Sequence, residues 1–570
     1  MTRMTPSEAL VETLVANGVS HVFGVVGSAY MDALDIFEPA GIRFVPVAHE
    51  QGAAHMADGY SRVTGLHGVC IAQNGPGVTN FVTAIAAAYW AHSPVVFITP
   101  EAGSNSTGLG GFQETPQIPI FSEITKFQAD IRRADRIAEL SGRAFDLALA
   151  EHGPAQINIP RDLFYGEIDI DIPEPQTLER GPGGPESLGA AAAALADARF
   201  PVILAGGGVV MSGGVEACRA LAERVSAPVC TTYLHNDAFP ASHPLACGPL
   251  GYQGSKAAMS LIARADVVLA LGTRLGPFGT LPQYGIDYWP KSARIIQVDA
   301  DHRMLGLVRP VDIAVHGDAR LAATEIDRRL AQMTPQCLAN LDERMAEMRG
   351  EQDAWNAELD GWGQEDGSPV SPRRALRELE CAMPADAMVT TDIGNICSVA
   401  NSYLRFDRPN SFFAAMSFGN CGYAFPTALG CKLGAPDRPA VAYVGDGAWG
   451  LSFNEMLTAV RENIPVTVVV FNNGQWGAEK RNQIDFYDNR FVGTNLANPN
   501  WAEIARAFGG DGVRVDRPDR IGDALRKATA SERFSLIEIM TTDELGDPFR
   551  RDALKKPVRL LDKYKAYSAA

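Results

Sequence analysis

Two uninterrupted apolar runs, "AVAYVG" at 440–445 and "PVTVVVFN" at 465–472, flank a helix-length segment, "LSFNEMLTAVREN". A run without polar alternation is buried on both faces, as happens in parallel strands with helices on either side. The segment between supplies the crossover that parallel strands need. The same alternation recurs through most of the chain, which predicts an α/β protein of doubly wound parallel sheets.

At 570 residues the chain exceeds what one core can serve. The first block, 1–165, has expected strands at "HVFGVVG", "IRFVPVA", "GVCIAQN", "PVVFITP" and "PAQINIP". A Pro-, Gly- and charge-rich stretch, "IDIDIPEPQTLERGPGGPESLG", reads as a linker. The second block, 190–330, has expected strands at "PVILAGGG", "PVCTTYL", "DVVLALG" and "ARIIQVDAD". A charged helix, "NLDERMAEMRGEQDAWNAEL", and a second linker lead to the third block, 371–545, with "AMVTTDIG", "AVAYVGDG", "PVTVVVFNN" and "FSLIEIM". A basic tail, 546–570, ends the chain. The expectation is three consecutive doubly wound domains.

The formal net charge of −17 argues against nucleic acid and anionic membranes as partners. Small anions remain compatible, because helix N-termini and a few local cations bind them. The most apolar stretch, "FVTAIAAAYWAHSPVVFI", is interrupted by His92, Ser93 and Pro94 and is too short to span a bilayer. The nine cysteines are scattered with no C-x-x-C pair, against a disulfide framework or a structural zinc site. With no signal-peptide core in the opening residues, a cytoplasmic protein is expected.

Asp446, between Gly445 and Gly447, and Asn473, after Asn472, fall at the carboxyl ends of two expected strands. That edge is where open α/β sheets bind ligands. One carboxylate and one amide oxygen, with a backbone carbonyl just beyond, suit Mg²⁺ that arrives with a diphosphate. Each motif alone would pass for a turn. Their pairing across one helix and one strand resembles the signature of thiamine-diphosphate-dependent enzymes. "HEQGAAHMADGYSRVTG" and "NGPGVTNFVTAIAAAYWAHSPVVFITP" match the pyrimidine-binding domain of the acetolactate-synthase-like members.

The resemblance covers nearly the whole chain, in the order pyrimidine-binding, middle Rossmann-like and diphosphate-binding domains. It implies that Glu50 activates the aminopyrimidine ring, and that Asp446, Asn473 and the Gln475 carbonyl ligate Mg²⁺. Gly447, Ala448, Trp476 and Gly477 flank those ligands as cofactor contacts. Ile393, Gly394, Asn395 and Ile396 would lie along the diphosphate, and Gly419 and Cys421 against the pyrimidine. In this family Glu50 of one chain serves the metal site of another, which implies a homodimer or homotetramer with active sites between subunits.

Simple 2-keto-acid decarboxylases carry adjacent histidines in the first domain, and this chain has none. At that place Phe112 and Gln113 look like the Phe-Gln of acetolactate synthases, which makes Gln113 a second catalytic candidate. "AGGGVVMSGG" has Met211 where a dinucleotide fingerprint needs glycine, so a structural role is preferred over NAD. FAD, which acetolactate synthases keep in this domain, stays open but unfavoured.

"NNGQWGAEKRNQIDFYDNRFVGTNL" and "DELGDPFRRDALKKP" resemble the sulfoacetaldehyde acetyltransferases more closely than the acetolactate synthases. That branch turns sulfoacetaldehyde and phosphate into acetyl phosphate and sulfite through 2-acetyl-thiamine diphosphate. The alternative is acetolactate synthase or another carboligase acting on pyruvate, and from a different class a non-catalytic cofactor sensor. Both co-substrates of the first reading are anions. Lys480 and Arg481, past the metal loop, and Arg550 and Arg551, in the tail, are candidate ligands for them, or else solvated surface charges.

Overall fold

The computed structural model describes residues 1–415, 418–544 and 554–568. Three parallel six-stranded sheets follow one another along the chain. The N-terminal sheet runs in the order Arg43–Pro46, His21–Gly24, Gly68–Ile71, Val95–Glu101, Ala155–Pro160, Phe127–Asp130. The C-terminal sheet repeats this topology with Phe412–Ala414, Met388–Thr391, Ala440–Gly445, Val466–Asn472, Ser535–Met540 and Asp511–Val515. The middle sheet differs: Ala246–Pro249, Val229–Thr231, Pro201–Ala205, Val267–Leu271, Arg294–Asp299, Ile313–His316. Numbered within each sheet, the outer two read 2-1-3-4-6-5 and the middle one 3-2-1-4-5-6, the Rossmann order. The α/β doubly wound class expected from the apolar runs is what the chain adopts.

Three local expectations need correction. Five strands absent from the apolar-run reading complete the sheets: Phe127–Asp130, Ala246–Pro249, Ile313–His316, Phe412–Ala414 and Asp511–Val515. All five lie at sheet edges, where strands are short or half exposed and leave no continuous apolar run. The segment after Asp446 is not one helix: a helical turn at Asp446–Trp449 breaks at Gly450, and Met456–Arg461 forms the helix proper. The first linker is partly ordered, since Ile168–Ile170 pairs antiparallel with Thr2–Met4.

The outer two domains share one core. Phe23, Val45 and Phe97 from the first pack in the same cluster as Met388, Phe425 and Val468 from the third. The contact centres on the Glu50–Thr64 and Ala424–Gly434 helices, whose backbones touch. A Cβ on Gly59 would sit 2.2 Å from the Thr427 carbonyl oxygen, and one on Gly430 would sit 2.0 Å from that of Met56. Beside them Tyr423 donates to Asp58 at 2.7 Å and receives a hydrogen bond from Arg62 at 2.6 Å, so the buried carboxylate and cation are satisfied together.

Candidate active site

The carboxyl ends of Met388–Thr391, Ala440–Gly445 and Val466–Asn472 open onto a cavity of about 490 Å³. The first two are the strands between which the order reverses, and such a switch point leaves a crevice between diverging connections. After Thr391 the chain turns through Gly394, whose φ of 120° excludes other residues, into the Asn395–Tyr403 helix. The start of that helix borders the cavity, and helix N-termini favour phosphate oxygens. Ile393, Gly394, Asn395 and Ile396 all line it.

Asp446 is 3% exposed on the cavity floor. Its Oδ2 accepts from the Gly474 amide at 2.8 Å and the Asn498 side chain at 2.6 Å, and its Oδ1 accepts from the Gly447 amide at 3.1 Å. Burial raises its pKa above the ordinary aspartate value, and those hydrogen bonds pull against it. The two asparagines of the motif divide their work. Asn472 turns to the core, donating to Glu538 at 2.7 Å, while Asn473 lines the cavity with Gln475.

Trp476 lies across Gly447, where a Cβ would come within 2.8 Å of the indole. Ala448 and Gly477 complete that wall. The lining also includes Gly419 and half-buried Cys421, whose thiol is pushed up to about 12 by burial and therefore stays protonated. Among the described residues no three His, Cys, Asp or Glu side chains cluster into a metal cage. Asp446, Asn473 and Gln475 on the lining instead offer a single carboxylate, an amide oxygen and a backbone carbonyl. Such a set fits Mg²⁺ whose remaining ligands come from a diphosphate and water.

Glu50 is positioned elsewhere on the chain and is not part of this cavity wall. It opens its helix, and its Oε2 accepts from Asn80 at 2.8 Å. Gln113 adjoins the same "NGPG" turn: its Oε1 accepts from Gln73 at 2.9 Å and its backbone carbonyl from Asn74 at 3.1 Å. Glu50 and Gln113 thus share one end of the N-terminal sheet. Phe112 beside them is 79% exposed, as is Leu109.

Of the four candidate cations, Lys480 and Arg481 are not on the wall. Lys480 donates to Asn495 at 3.0 Å and lies over the Phe491 ring, and Arg481 pairs with Asp485 at 3.1 Å. Arg550 and Arg551 lie outside the described residues. The wall does include Arg373, which stacks on Trp362 at 4.3 Å and pairs with Glu544 at 3.6 Å. Arg373 and Asn498 carry no motif, and only the fold brings Arg373 to the cavity and Asn498 to Asp446.

A larger cavity of about 1050 Å³ lies at the carboxyl ends of the middle sheet and shares Ile393, Gly419 and Glu479 with the first. Its glycine-rich edge is tightly packed. A Cβ on Gly206 would lie 2.4 Å from the Gly272 carbonyl oxygen, and one on Gly208 would lie 2.7 Å from the Gly272 Cα. This contact accounts for both glycines without a bound nucleotide.

Three family models match the chain: the thiamine pyrophosphate enzyme N-terminal TPP binding domain at 4–120, the central domain at 188–326 and the C-terminal TPP binding domain at 392–539. The sulfoacetaldehyde acetyltransferase of Castellaniella defragrans is 63% identical across 99% of this chain and 98% of its own length. That of Alcaligenes xylosoxydans xylosoxydans is 61% identical with the same coverage. A probable acetolactate synthase large subunit from Methanocaldococcus jannaschii is 32% identical across 99% of this chain and 97% of its own. With its three domains matched in order and nearly its full length aligned, the chain belongs to the thiamine pyrophosphate enzyme family.

Proposed function

We propose that the protein is a sulfoacetaldehyde acetyltransferase. The observation that carries this reading is the identity of 63% to one such enzyme, against 32% to a probable acetolactate synthase large subunit of similar coverage. In the net reaction the C–S and aldehyde C–H bonds break, sulfite departs with the C–S electron pair, phosphate oxygen bonds to the acyl carbon, and a proton completes the methyl group. The aldehyde carbon is oxidised to the acyl level while its neighbour is reduced to methyl, so no external oxidant is needed.

Bound thiamine diphosphate supplies the carbanion chemistry for this exchange. Asp446, Asn473 and the Gln475 carbonyl would hold Mg²⁺, and the amides from Gly394 to Ile396 would meet the diphosphate. Gly447, Ala448, Trp476 and Gly477 close the metal side, while Gly419 and Cys421 would support the pyrimidine. Glu50, its carboxyl oriented by Asn80, would exchange a proton with the pyrimidine ring nitrogen, with Gln113 alongside. Arg373 is the cation proposed to meet an anion, since it lines the cavity whereas Lys480 and Arg481 do not.

The assembly proposed is a homodimer or homotetramer in which Glu50 of one chain meets the metal cavity of another. Two features support it: Glu50 is absent from the cavity wall of its own chain, and exposed Leu109 and Phe112 lie near Gln113. Nine free cysteines, most of them buried, accord with a reducing cytoplasm. Among the described residues no helix is long and apolar enough to cross a membrane.

The deciding experiment supplies purified protein with thiamine diphosphate, Mg²⁺, sulfoacetaldehyde and phosphate. Sulfite and acetyl phosphate should appear together, depend on phosphate, and be lost in Glu50→Gln. Neither product appearing would sink the assignment. The second reading, acetolactate synthase, draws on the large middle-domain cavity, which has room for a flavin. Acetolactate from pyruvate, with a bound yellow chromophore, would favour it.

A further inference from the structure

The turn that delivers Glu50 is held from the third domain. The Ala48 amide donates to Glu455 Oε2 at 3.2 Å and the His49 amide to Glu455 Oε1 at 3.0 Å. These are the two residues immediately before Glu50. Glu455 is 1% exposed, and its third hydrogen bond comes from the Thr458 hydroxyl at 2.6 Å.

Neighbouring groups tighten the same clamp. Arg43 reaches the Glu462 carboxylate at 3.2 Å, and Arg461 donates to the Pro46 carbonyl. On the helix side, a Cβ on Gly52 would lie 2.2 Å from Glu455 Oε1, so the carboxylate fits because residue 52 is glycine. His49 Nδ1 caps the helix by accepting from the Gln51 amide at 3.1 Å.

A buried carboxylate is an expensive way to fill space, since an apolar side chain of similar volume would pack there at lower cost. What a carboxylate offers is two acceptor oxygens that hold two consecutive amides in one orientation. The backbone entering Glu50 is thereby fixed, while Asn80 fixes the other end of the side chain.

We propose that Glu455 is a positioning residue for Glu50: from the metal-binding domain it sets the direction in which the Glu50 carboxyl points. This rests on the reading of Glu50 as the group that meets bound thiamine diphosphate, and it is independent of the substrate. Misplacement by about 1 Å lowers such proton transfers roughly 10²-fold.

The test uses the full-length protein loaded with thiamine diphosphate and Mg²⁺ in deuterium oxide, without substrate. Exchange of the thiazolium ring proton is read by NMR after acid quench, and cofactor affinity is measured by calorimetry. In folded Glu455→Gln, whose amide must face a backbone N–H donor, exchange should slow roughly 10²-fold, close to Glu50→Gln, with cofactor still bound. Glu455→Asp should recover part of the rate.

Wild-type exchange in Glu455→Gln alongside slow exchange in Glu50→Gln overturns the positioning role alone. Wild-type exchange in both overturns the reading of Glu50 and the positioning role with it. If Glu455→Gln does not fold, Gly52→Ala decides the matter by displacing the intact carboxylate: slowed exchange supports the role, and wild-type exchange overturns it.

Discussion

Asn498 donates to the Asp446 carboxylate at 2.6 Å, and the same amide group reaches Asn472 Oδ1 at 3.0 Å. One side chain therefore ties together the ends of the two strands that carry the proposed metal-binding motif. Asn498→Ala should leave the fold intact and weaken Mg²⁺-dependent thiamine diphosphate binding about tenfold, matching the loss of one hydrogen bond to a charged group. Calorimetric titration measures this directly, and unchanged affinity would refute the role.

Asp446→Ala removes the only charged oxygen in the proposed ligand set. Mg²⁺-dependent cofactor binding should vanish, whereas Glu50→Gln should still bind. Because Trp476 lies against Gly447 at the cavity wall, binding should change the indole emission, and Trp476→Phe should abolish that change. A signal that survives in Trp476→Phe would place the reporting tryptophan elsewhere.

Gly59→Ala and Gly350→Ala should act in opposite directions. At 59 the added methyl meets the Thr427 backbone oxygen at 2.2 Å and forces the Glu50–Thr64 and Ala424–Gly434 helices apart, destabilising by about 1–3 kcal/mol or more. Gly350 lies inside the Leu341–Trp362 helix with nothing within 4 Å of its would-be Cβ, so alanine there should stabilise by about 1 kcal/mol. Thermal melting of both variants checks the pair.

His55 is fully buried between the first and third domains, and its Nε2 accepts from Asn420 at 3.1 Å. Burial lowers its pKa from 6.5 to about 3. The unfolded chain therefore takes up this proton first, and stability is lost as pH falls below 6.5, with the loss complete below the folded value. Between pH 7 and pH 5 the loss is about 2 kcal/mol. In His55→Gln the drop in unfolding free energy over that interval should be smaller by this amount, as read from denaturant curves at the two pH values.

The legible part of the site is the local part. Asp446 and Asn473 stand at the ends of long strands, and Gly394 opens a helix, so each declares its place within a few residues of sequence. Asn498, Arg373 and Glu455 do not. Asn498 follows an irregular segment, Arg373 opens an amphipathic helix like many others, and Glu455 reads as an ordinary helix-start acid. Their partners are separated from them along the chain: Glu455 meets Ala48 across 407 positions.

The same division runs through the fold. Val466–Asn472 and Val95–Glu101 are buried at every position, and burial on both faces writes itself into the chain as an unbroken apolar run. Asp511–Val515 is exposed at three of five positions and Phe412–Ala414 has only three residues, so neither leaves such a run. By itself the sequence determined the α/β class, the long inner strands and the strand-end loops that carry Gly394, Asp446 and Asn473, because these follow from nearest-neighbour geometry and periodic burial. Tertiary structure alone decided five of the six sheet edges, the backbone contact between the Glu50 and Ala424 helices, and the clamp on the turn before Glu50. Those depend on which distant surfaces meet, and a one-dimensional pattern of side chains carries no record of that.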